Sequence, residues 1–381
     1  SGVMSAERIS VAVVSEPGKA GVKTHVIDLL THIDLDRFKV AYVYSLQRSD
    51  AAYPAELAAL RARGIECCEL PMNGTLHFLP DLRALWRLIF LLRRFKPAVL
   101  HLHSSKAGGL GRLASLFVHP RPFVVYTPHA MACYRSRFYL WLEQILGWIT
   151  DVTVAVSASE KRDFIRWRIP HAERAETIRL GLRASPSQVG LSAGSPAPGA
   201  RWVAGACGRI SYQKNALLFF QVALAMLRSH PDYRFKWIGD FADDPEAQAV
   251  RELLALAGNP PQIEITGWVT DPRLHLETLD VFCMFSRYES FGYVTAEAML
   301  LGVPVLATPA SGTVDLIQHE VTGLLAAPEV DAIVAALGRL LADAPLRAEL
   351  AGRAARFVTE NHTIEAMVVA TERQYAQARP A

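Results

Sequence analysis

The chain has 381 residues, more than one hydrophobic core spans at roughly 100–200 residues per domain, so two domains are expected. Hydrophobic residues make up 51% and charged residues 20%, which excludes a disordered or fibrous chain. The net charge of +3 is unevenly placed: residues 1–180 hold 24 Lys and Arg against 16 Asp and Glu, and residues 181–381 hold 16 against 21. A basic first half beside an acidic second half fits a first half that faces an anionic surface or substrate.

Along the chain the pattern is strand, loop, helix, repeated. "ISVAVVS" (9–15) is a strand, too short for a signal-peptide core, and "SGV" before Met4 reads as an expression scar. The loop "EPGKAGVK" follows, then helix "THVIDLLTHI". Gly18 and Gly21 precede the helix N-terminus, a phosphate-compatible arrangement that lacks a full dinucleotide or P-loop fingerprint. "IDLDRF" reads as a turn, and "FKVAYVYS" (38–45) as the next strand. "AELAALRARG" is a helix stopped by Gly64. The stretch 79–97 is a helix with Arg83, Arg87 and Arg94 and more apolar residues than one buried stripe needs. Such a helix can rest on an anionic membrane surface, or on the core with a solvated basic face.

"AVLHLHS" (98–104), "FVVYTPH" (123–129) and "DVTVAVS" (151–157) are further strands. Near-continuous Val, Ile and Leu runs suit strands buried on both faces of a parallel sheet. After the first of these, "HLHSSKAGGLGRLA" reads as a second glycine-rich loop, placing His103, Ser104, Ser105 and Lys106 at a ligand-facing edge. His129 ends the next strand.

Residues 183–200 are rich in Pro, Gly, Ser and Ala without period and read as a linker. The alternation then restarts, with strands at 202–208, 233–239, 262–267, 281–286, 303–308 and 323–327. The expected architecture is α/β: two doubly wound, Rossmann-like domains (1–182 and 201–363) facing across a cleft, with a last helix at 364–379 that can complete the first. The odd count of five cysteines, without C-x-x-C, fits reduced thiols and a cytoplasmic setting, not a zinc frame.

One segment carries the chemistry. "VFCMFS" is a buried strand, "RYESFG" the loop leaving it, and "YVTAEAMLL" a helix. Glu289 falls in the loop and Glu297 about a turn inside the helix. Ser290, Phe291, Gly292 and Tyr293 place backbone N–H groups at a helix N-terminus, an anion site. A diphosphate flanked by two hydroxyl-binding carboxylates describes a nucleotide-sugar. The first strand of the same domain ends in "GRISYQKN", so Gly208, Arg209 and Lys214 supply a close backbone approach and the cations a diphosphate needs.

"GRISYQK" followed by "ESFGYVTAEAMLLGVPVLAT", with "SGTVDLI" and "EVTGLLAAP" beyond, resembles the retaining glycosyltransferases of the GT-B fold, the large bacterial family with two glutamates that have seven residues between them. The resemblance implies that Glu289 contacts the donor hexose, that Glu297 binds the ribose hydroxyls, and that Arg209 and Lys214 hold the diphosphate. It also implies that Val269 in "GWVT" offers backbone atoms to the base, that the Gly18–Gly21 loop approaches donor phosphate and acceptor, and that His129 reaches the donor sugar. The family's Gly-x-Gly-Pro turn is replaced here by "WIGDFADD", which leaves the base open. No cofactor and no metal are expected; "DLD" (34–36) spells a metal-gripping Asp-x-Asp but lies in a turn. The expected reaction moves a hexose from a nucleotide-diphosphate sugar, a UDP-sugar before GDP-mannose, to a glycan or lipid-linked hydroxyl. Sugar-nucleotide epimerisation or hydrolysis is the alternative. Similarity to the subset that builds lipid-linked polysaccharides implies a peripheral position on the inner membrane face. No nucleic acid is expected.

Overall fold

A computed structural model describes residues 7–129, 132–134, 136–183 and 202–378; from residue 184 on, the expected linker lies outside them. The chain divides into two compact units. The described residues through Gly181, with those from His362 onward, form the first, and those between Leu182 and Asn361 form the second.

The first unit runs β1 (Ile9–Ser15), α1 (Ala20–His32), β2 (Phe38–Tyr44), α2 (Tyr53–Ala62), β3 (Glu66–Glu69), α3 (Phe78–Phe95), β4 (Val99–His103), α4 (Ser105–Ser115), β5 (Phe123–Thr127), α5 (Arg137–Leu146), β6 (Val152–Ala155), α6 (Ala158–Arg166) and β7 (Glu176–Thr177). Its seven strands are parallel in the order β3-β2-β1-β4-β5-β6-β7. The order reverses between β1 and β4, the switch point where open α/β sheets take ligands. Val11, Val13, Val14, Leu100 and Val124 are fully buried, as a doubly covered sheet requires.

The second unit runs β8 (Val203–Cys207), α7 (Ala216–Ser229), β9 (Arg234–Ile238), α8 (Pro245–Leu256), β10 (Ile263–Ile265), α9 (Arg273–Leu276), β11 (Val281–Met284), α10 (Tyr293–Leu300), β12 (Val305–Ala307), α11 (Thr313–Leu316), β13 (Leu324–Leu325), α12 (Val330–Ala342) and α13 (Ala344–Asn361). Its six-stranded parallel sheet has the order β10-β9-β8-β11-β12-β13, with the switch between β8 and β11. An aromatic cluster of Phe219, Phe220, Phe235 and Trp237 packs α7 on β9. Burying each such ring is worth roughly 1.5–3 kcal/mol. That anchors the helix that carries Lys214 and Asn215 at its start.

The last helix, α14 (Ile364–Tyr375), returns to the first unit. Glu372 accepts from Arg37 (3.0 Å) and from the Asp34 amide (2.9 Å), and Tyr375 reaches His101 at 2.6 Å. The "DLD" stretch is a turn, in which Asp34 accepts the Asp36 amide at 2.9 Å.

The stretch read as a second glycine-rich loop is corrected here: it is helix α4. A Cβ on Gly108 would stand 2.3 Å from Tyr126, and one on Gly111 2.1 Å from Leu102. These glycines let α4 lie close on the sheet, so they serve packing.

Candidate active site

The two loops that carry the charged residues leave adjacent strands at the second switch point. β8 ends at Cys207, and Gly208 turns the chain with φ +135°. A Cβ on Gly208 would meet the Lys214 side chain at 2.8 Å. Gly239, at φ +141°, has space for a Cβ only 2.1 Å from the Gly208 carbonyl oxygen. Glycine at both positions therefore lets the backbone just beyond β8 and β9 pack closely, and the loop after β8 brings Lys214 to β11's loop.

There Lys214 Nζ forms a salt bridge with Glu289 Oε1 at 2.5 Å, and Ser286 donates to the same oxygen at 2.8 Å. Glu289 is 7% exposed. Its Oε2 has no hydrogen-bond partner among the described residues, so one face of the carboxylate remains for a ligand hydroxyl. Arg209, on the same loop, is exposed and has no ion pair among the described residues. Helix α10 begins at Tyr293 behind Gly292, whose φ of +87° favours glycine. Nothing nearer than Thr295 Oγ1, at 3.4 Å, faces a Gly292 Cβ, so the backbone at the start of α10 can be approached closely there. Phe291 is buried and packs edge-on against Tyr293 at 5.3 Å. Ser290 is half-buried.

Glu297 lies further along α10, half-buried and without a hydrogen-bond partner among the described residues. Lost hydration pushes its carboxyl up to about 7. Arg273 pulls the other way and Asp271 adds to the rise. The pull is partial because Arg273 is already forked onto Asp271, at 2.9 and 2.8 Å. Glu297 and Lys214 both act on the Cys207 thiol, which burial pushes up to about 12, so the two residues flank the end of β8. Val269 is half-buried in the loop after β10, two strands from β8.

Sequence reasoning missed Ser286, Asp271, Arg273 and Gly312. Ser286 follows the end of β11 and the Asp271–Arg273 fork stands at the start of α9, and neither carries a motif signal. Gly312 was inside a quoted motif without a role. At φ +79°, its Cβ would come within 2.8 Å of the Glu289 carbonyl oxygen, so it sets the path of the glutamate loop. In the "DFADD" turn Asp244 caps α8 at the Ala247 amide (2.9 Å) and accepts the Tyr212 amide (3.0 Å), stitching the turn to the β8 loop. A cavity of about 470 Å³ lies on the α7 side of this edge, lined by Asn215, Leu218, Ser286, Arg287 and Thr308. It shares Ser286 with the Glu289 site and holds neither glutamate.

In the first unit the residues separate into two groups. Gly18 donates its amide to Arg48 (2.9 Å) and accepts from Asp50 (3.0 Å), and its Cβ would strike Tyr53 at 2.6 Å. It is a packing glycine, and its amide is not free for phosphate. Gly21 lies in the first turn of α1 behind Lys19. Lys106 is buried and forked onto Asp81 at 2.6 and 2.7 Å, which pins the start of α3 to α4, so its charge is not turned to a ligand. Ser104 precedes α4 with φ +79° and a buried hydroxyl that lacks a partner among the described residues; Ser105 is half-buried. His103 and His129 come together, with His103 Nδ1 3.1 Å from His129 Nε2, and His25 joins them at 3.2 Å. Burial lowers the pKa of all three.

Comparison with known proteins follows the same division. Residues 20–184 match the family described as Glycosyltransferase Family 4, and residues 201–343 match Glycosyl transferases group 1. The capsular polysaccharide biosynthesis glycosyltransferase CapM of Staphylococcus aureus is 24% identical over 306 residues, 77% of this chain and 80% of the relative. The UDP-Gal:alpha-D-GlcNAc-diphosphoundecaprenol alpha-1,3-galactosyltransferase of Escherichia coli is 25% identical over 285 residues, 70% and 72% of the two chains. Among solved structures, Anabaena Alr3699/HepE in complex with UDP and glucose superposes with a TM-score of 0.79 at 18% identity, covering 97% of this chain and 100% of that one. With both family matches, and switch-point loops of this kind, the chain belongs to the glycosyltransferases of the GT-B fold.

Proposed function

We propose that the protein is a retaining hexosyltransferase that moves a sugar from a UDP-sugar to a hydroxyl of a lipid-linked or polysaccharide acceptor, without a metal ion in the transfer step. The observation that carries this reading is the Lys214–Glu289 pair with Arg209 exposed beside it at the β8/β11 switch point. Breaking the anomeric C–O bond builds negative charge on the departing diphosphate. Arg209, Lys214 and the first amides of α10 stabilise that charge. Glu289 Oε2 accepts a hexose hydroxyl while Oε1 stays with Lys214 and Ser286. Glu297 takes the ribose hydroxyls. The acceptor hydroxyl attacks from the face the diphosphate leaves, and the diphosphate takes its proton, so no protein nucleophile is required. The donor in the name of the Escherichia coli relative and the UDP held by HepE support the nucleotide; the diphosphoundecaprenol in that relative's name supports the acceptor class.

The first unit adds a surface for that acceptor. α3 buries Ala84, Leu88, Ile89 and Leu92 but leaves Phe78, Leu79, Trp86 and Phe90 exposed, with Arg83 and Arg87 beside them. α5 likewise exposes Phe138, Trp141 and Ile145, followed by Trp148. Both helices pack against α4, whose end exposes Leu113, followed by Leu116 and Phe117. An apolar face rimmed by arginine fits an anionic bilayer surface. No helix among the described residues is long and apolar enough to cross a membrane.

The test is transfer to a diphosphoprenol-linked sugar, with UDP-galactose, UDP-glucose, UDP-N-acetylglucosamine and GDP-mannose offered separately. The expected product is α-linked by NMR, from one UDP-sugar, at a rate unchanged by chelator. An inverted product, or activity that manganese restores, would overturn the reading. Free sugar or epimer as the main product without acceptor would move it to hydrolysis or epimerisation.

A further inference from the structure

The cavity of about 470 Å³ in the second unit lies between α7 and the loops that follow β11, β12 and β13, and takes no part in the proposed sugar transfer. Its volume falls in the roughly 300–1,000 Å³ range of small-molecule pockets. Two of the side chains that line it are buried, with Asn215 8% exposed and Thr308 3%. The Asn215 amide makes no capping bond to α7, and neither it nor the Thr308 hydroxyl has a partner among the described residues. A left-handed φ of +52° accounts for asparagine at 215 in place of a branched residue, but not for an amide without a bond. Neither group is sealed off by protein, so both keep surface on the cavity. Buried polar groups in folded proteins are almost always bonded, and two open ones in one cavity point to a ligand that carries hydroxyls.

Charge decides the class of ligand. Arg287 is the only charged side chain among the described residues that line the cavity. Glu246 pairs with it at 2.7 Å, the Tyr212 carbonyl accepts from it, and its guanidinium lies over the Tyr212 ring at 4.0 Å. With that cation committed, nothing in the lining selects a phosphate or a carboxylate. Ser286 is committed as well, donating to Glu289 at 2.8 Å. Asn215, Thr308 and the exposed Gln221 remain to donate to and accept from a ligand, while Leu218, Phe285 and Pro309 supply apolar wall. A pyranose presents both surfaces, with hydroxyls around its rim and C–H groups on its faces. We propose that this cavity is a second carbohydrate site, which holds a neutral sugar apart from the Glu289 site. The inference stands on the cavity and not on the proposed sugar transfer.

The test titrates the full chain with glucose, galactose, N-acetylglucosamine, maltose and lactose at millimolar concentrations, read by saturation-transfer NMR with UDP in excess. Saturable binding of at least one of them is expected. A monosaccharide that binds as tightly as its disaccharide assigns the site to a free sugar, and a tighter disaccharide assigns it to the end of a glycan. Thr308→Val removes one hydroxyl at constant volume, and Asn215→Gly removes the amide while tolerating the left-handed turn. Each should weaken the sugar about tenfold, as loss of one hydrogen bond does, with folding checked by circular dichroism. Glu289→Gln should leave sugar affinity unchanged, because the cavity holds neither glutamate. Absence of saturable binding of all five sugars to the wild-type protein would overturn the proposal. So would binding that Glu289→Gln abolishes and folded Thr308→Val retains in full.

Discussion

Lys214 and Arg209 are both cations of the β8 loop, but their surroundings make their substitutions behave differently. Lys214 is part-buried against Glu289, so Lys214→Ala removes a donor to the leaving group and also leaves a buried carboxylate with Ser286 alone. Both stability and transfer should fall, the rate by about 10²–10³ as for loss of one transition-state donor. Arg209→Ala breaks no ion pair among the described residues, so its melting curve should stay within about 0.5 kcal/mol of wild type while its kcat falls. Urea melts paired with initial rates separate the two; an inactive Lys214→Ala of unchanged stability would contradict the pairing. Glu297 makes a pH prediction. Burial pushes its carboxyl up to about 7, from an ordinary value of 4.5. A raised carboxyl contributes stability that is whole below the unfolded value and is lost as pH climbs through the folded one. Stability should therefore decline between pH 4.5 and 7 more steeply in wild type than in Glu297→Gln. If ribose hydroxyls need the carboxylate, nucleotide-sugar binding at pH 6 should release about 0.9 proton, read by calorimetry in buffers of different ionisation enthalpy. Release of the same proton by Glu297→Gln would remove this residue from the ribose.

At the scale of elements, glycines decide where the glutamate loop runs. Gly312→Ala forces a Cβ to within 2.8 Å of the Glu289 and Ser290 backbone at a positive φ, so the loop must shift. The expected cost is about 1–3 kcal/mol, with a drop in kcat/KM larger than stability alone explains. Gly292→Ala meets open space, costs only the φ strain of about 1 kcal/mol, and acts on activity by blocking the diphosphate's approach to α10. Equal stability loss in the two variants would show that the Gly312 contact is unimportant. These positions also show what sequence could convey. The strands were legible because buried Val, Ile and Leu runs have one physical cause, and so was α10, whose start at Tyr293 follows from Gly292 and the apolar run beyond. The helix α4 was not: Gly108 and Gly111 look like loop residues, and only the Tyr126 and Leu102 side chains beneath them explain their size. Helix α13, Ala344–Asn361, was passed over, as its alternating Ala, Arg and Glu carry a weak apolar period. In the site, Glu289 and Glu297 stood out because a carboxylate in an apolar run demands a ligand. Ser286 and Arg273 did not, because a serine beside a loop and an arginine at a helix start are common on any surface, and only the fold turns Ser286 onto the Glu289 carboxylate and Arg273 onto Asp271.

At the scale of the whole molecule, the uneven charge and the exposed aromatic face of the first unit point to the same surface. Residues 1–180 carry 24 Lys and Arg against 16 Asp and Glu, and α3 presents Trp86 and Phe90 beside Arg83 and Arg87. Two contributions are then separable. The apolar one scales with the side chains inserted, and the electrostatic one scales with anionic lipid and fades within a Debye length of about 10 Å at 0.1 M salt. The protein should sediment with vesicles containing phosphatidylglycerol, weakly with phosphatidylcholine vesicles, and progressively less as salt rises. Trp86→Ser with Phe90→Ser should reduce binding at every salt concentration, since it removes inserted area. Arg83→Gln with Arg87→Gln should reduce it only at low salt, each arginine contributing about 1 kcal/mol near such a surface. Neither pair lies in the second unit's switch-point loops, so transfer to a short water-soluble acceptor should stay at the wild-type rate while transfer to a vesicle-borne acceptor falls. Vesicle binding that ignores both pairs would place the membrane contact elsewhere on the chain, and a matching loss on both acceptors would assign α3 to the fold rather than to the bilayer.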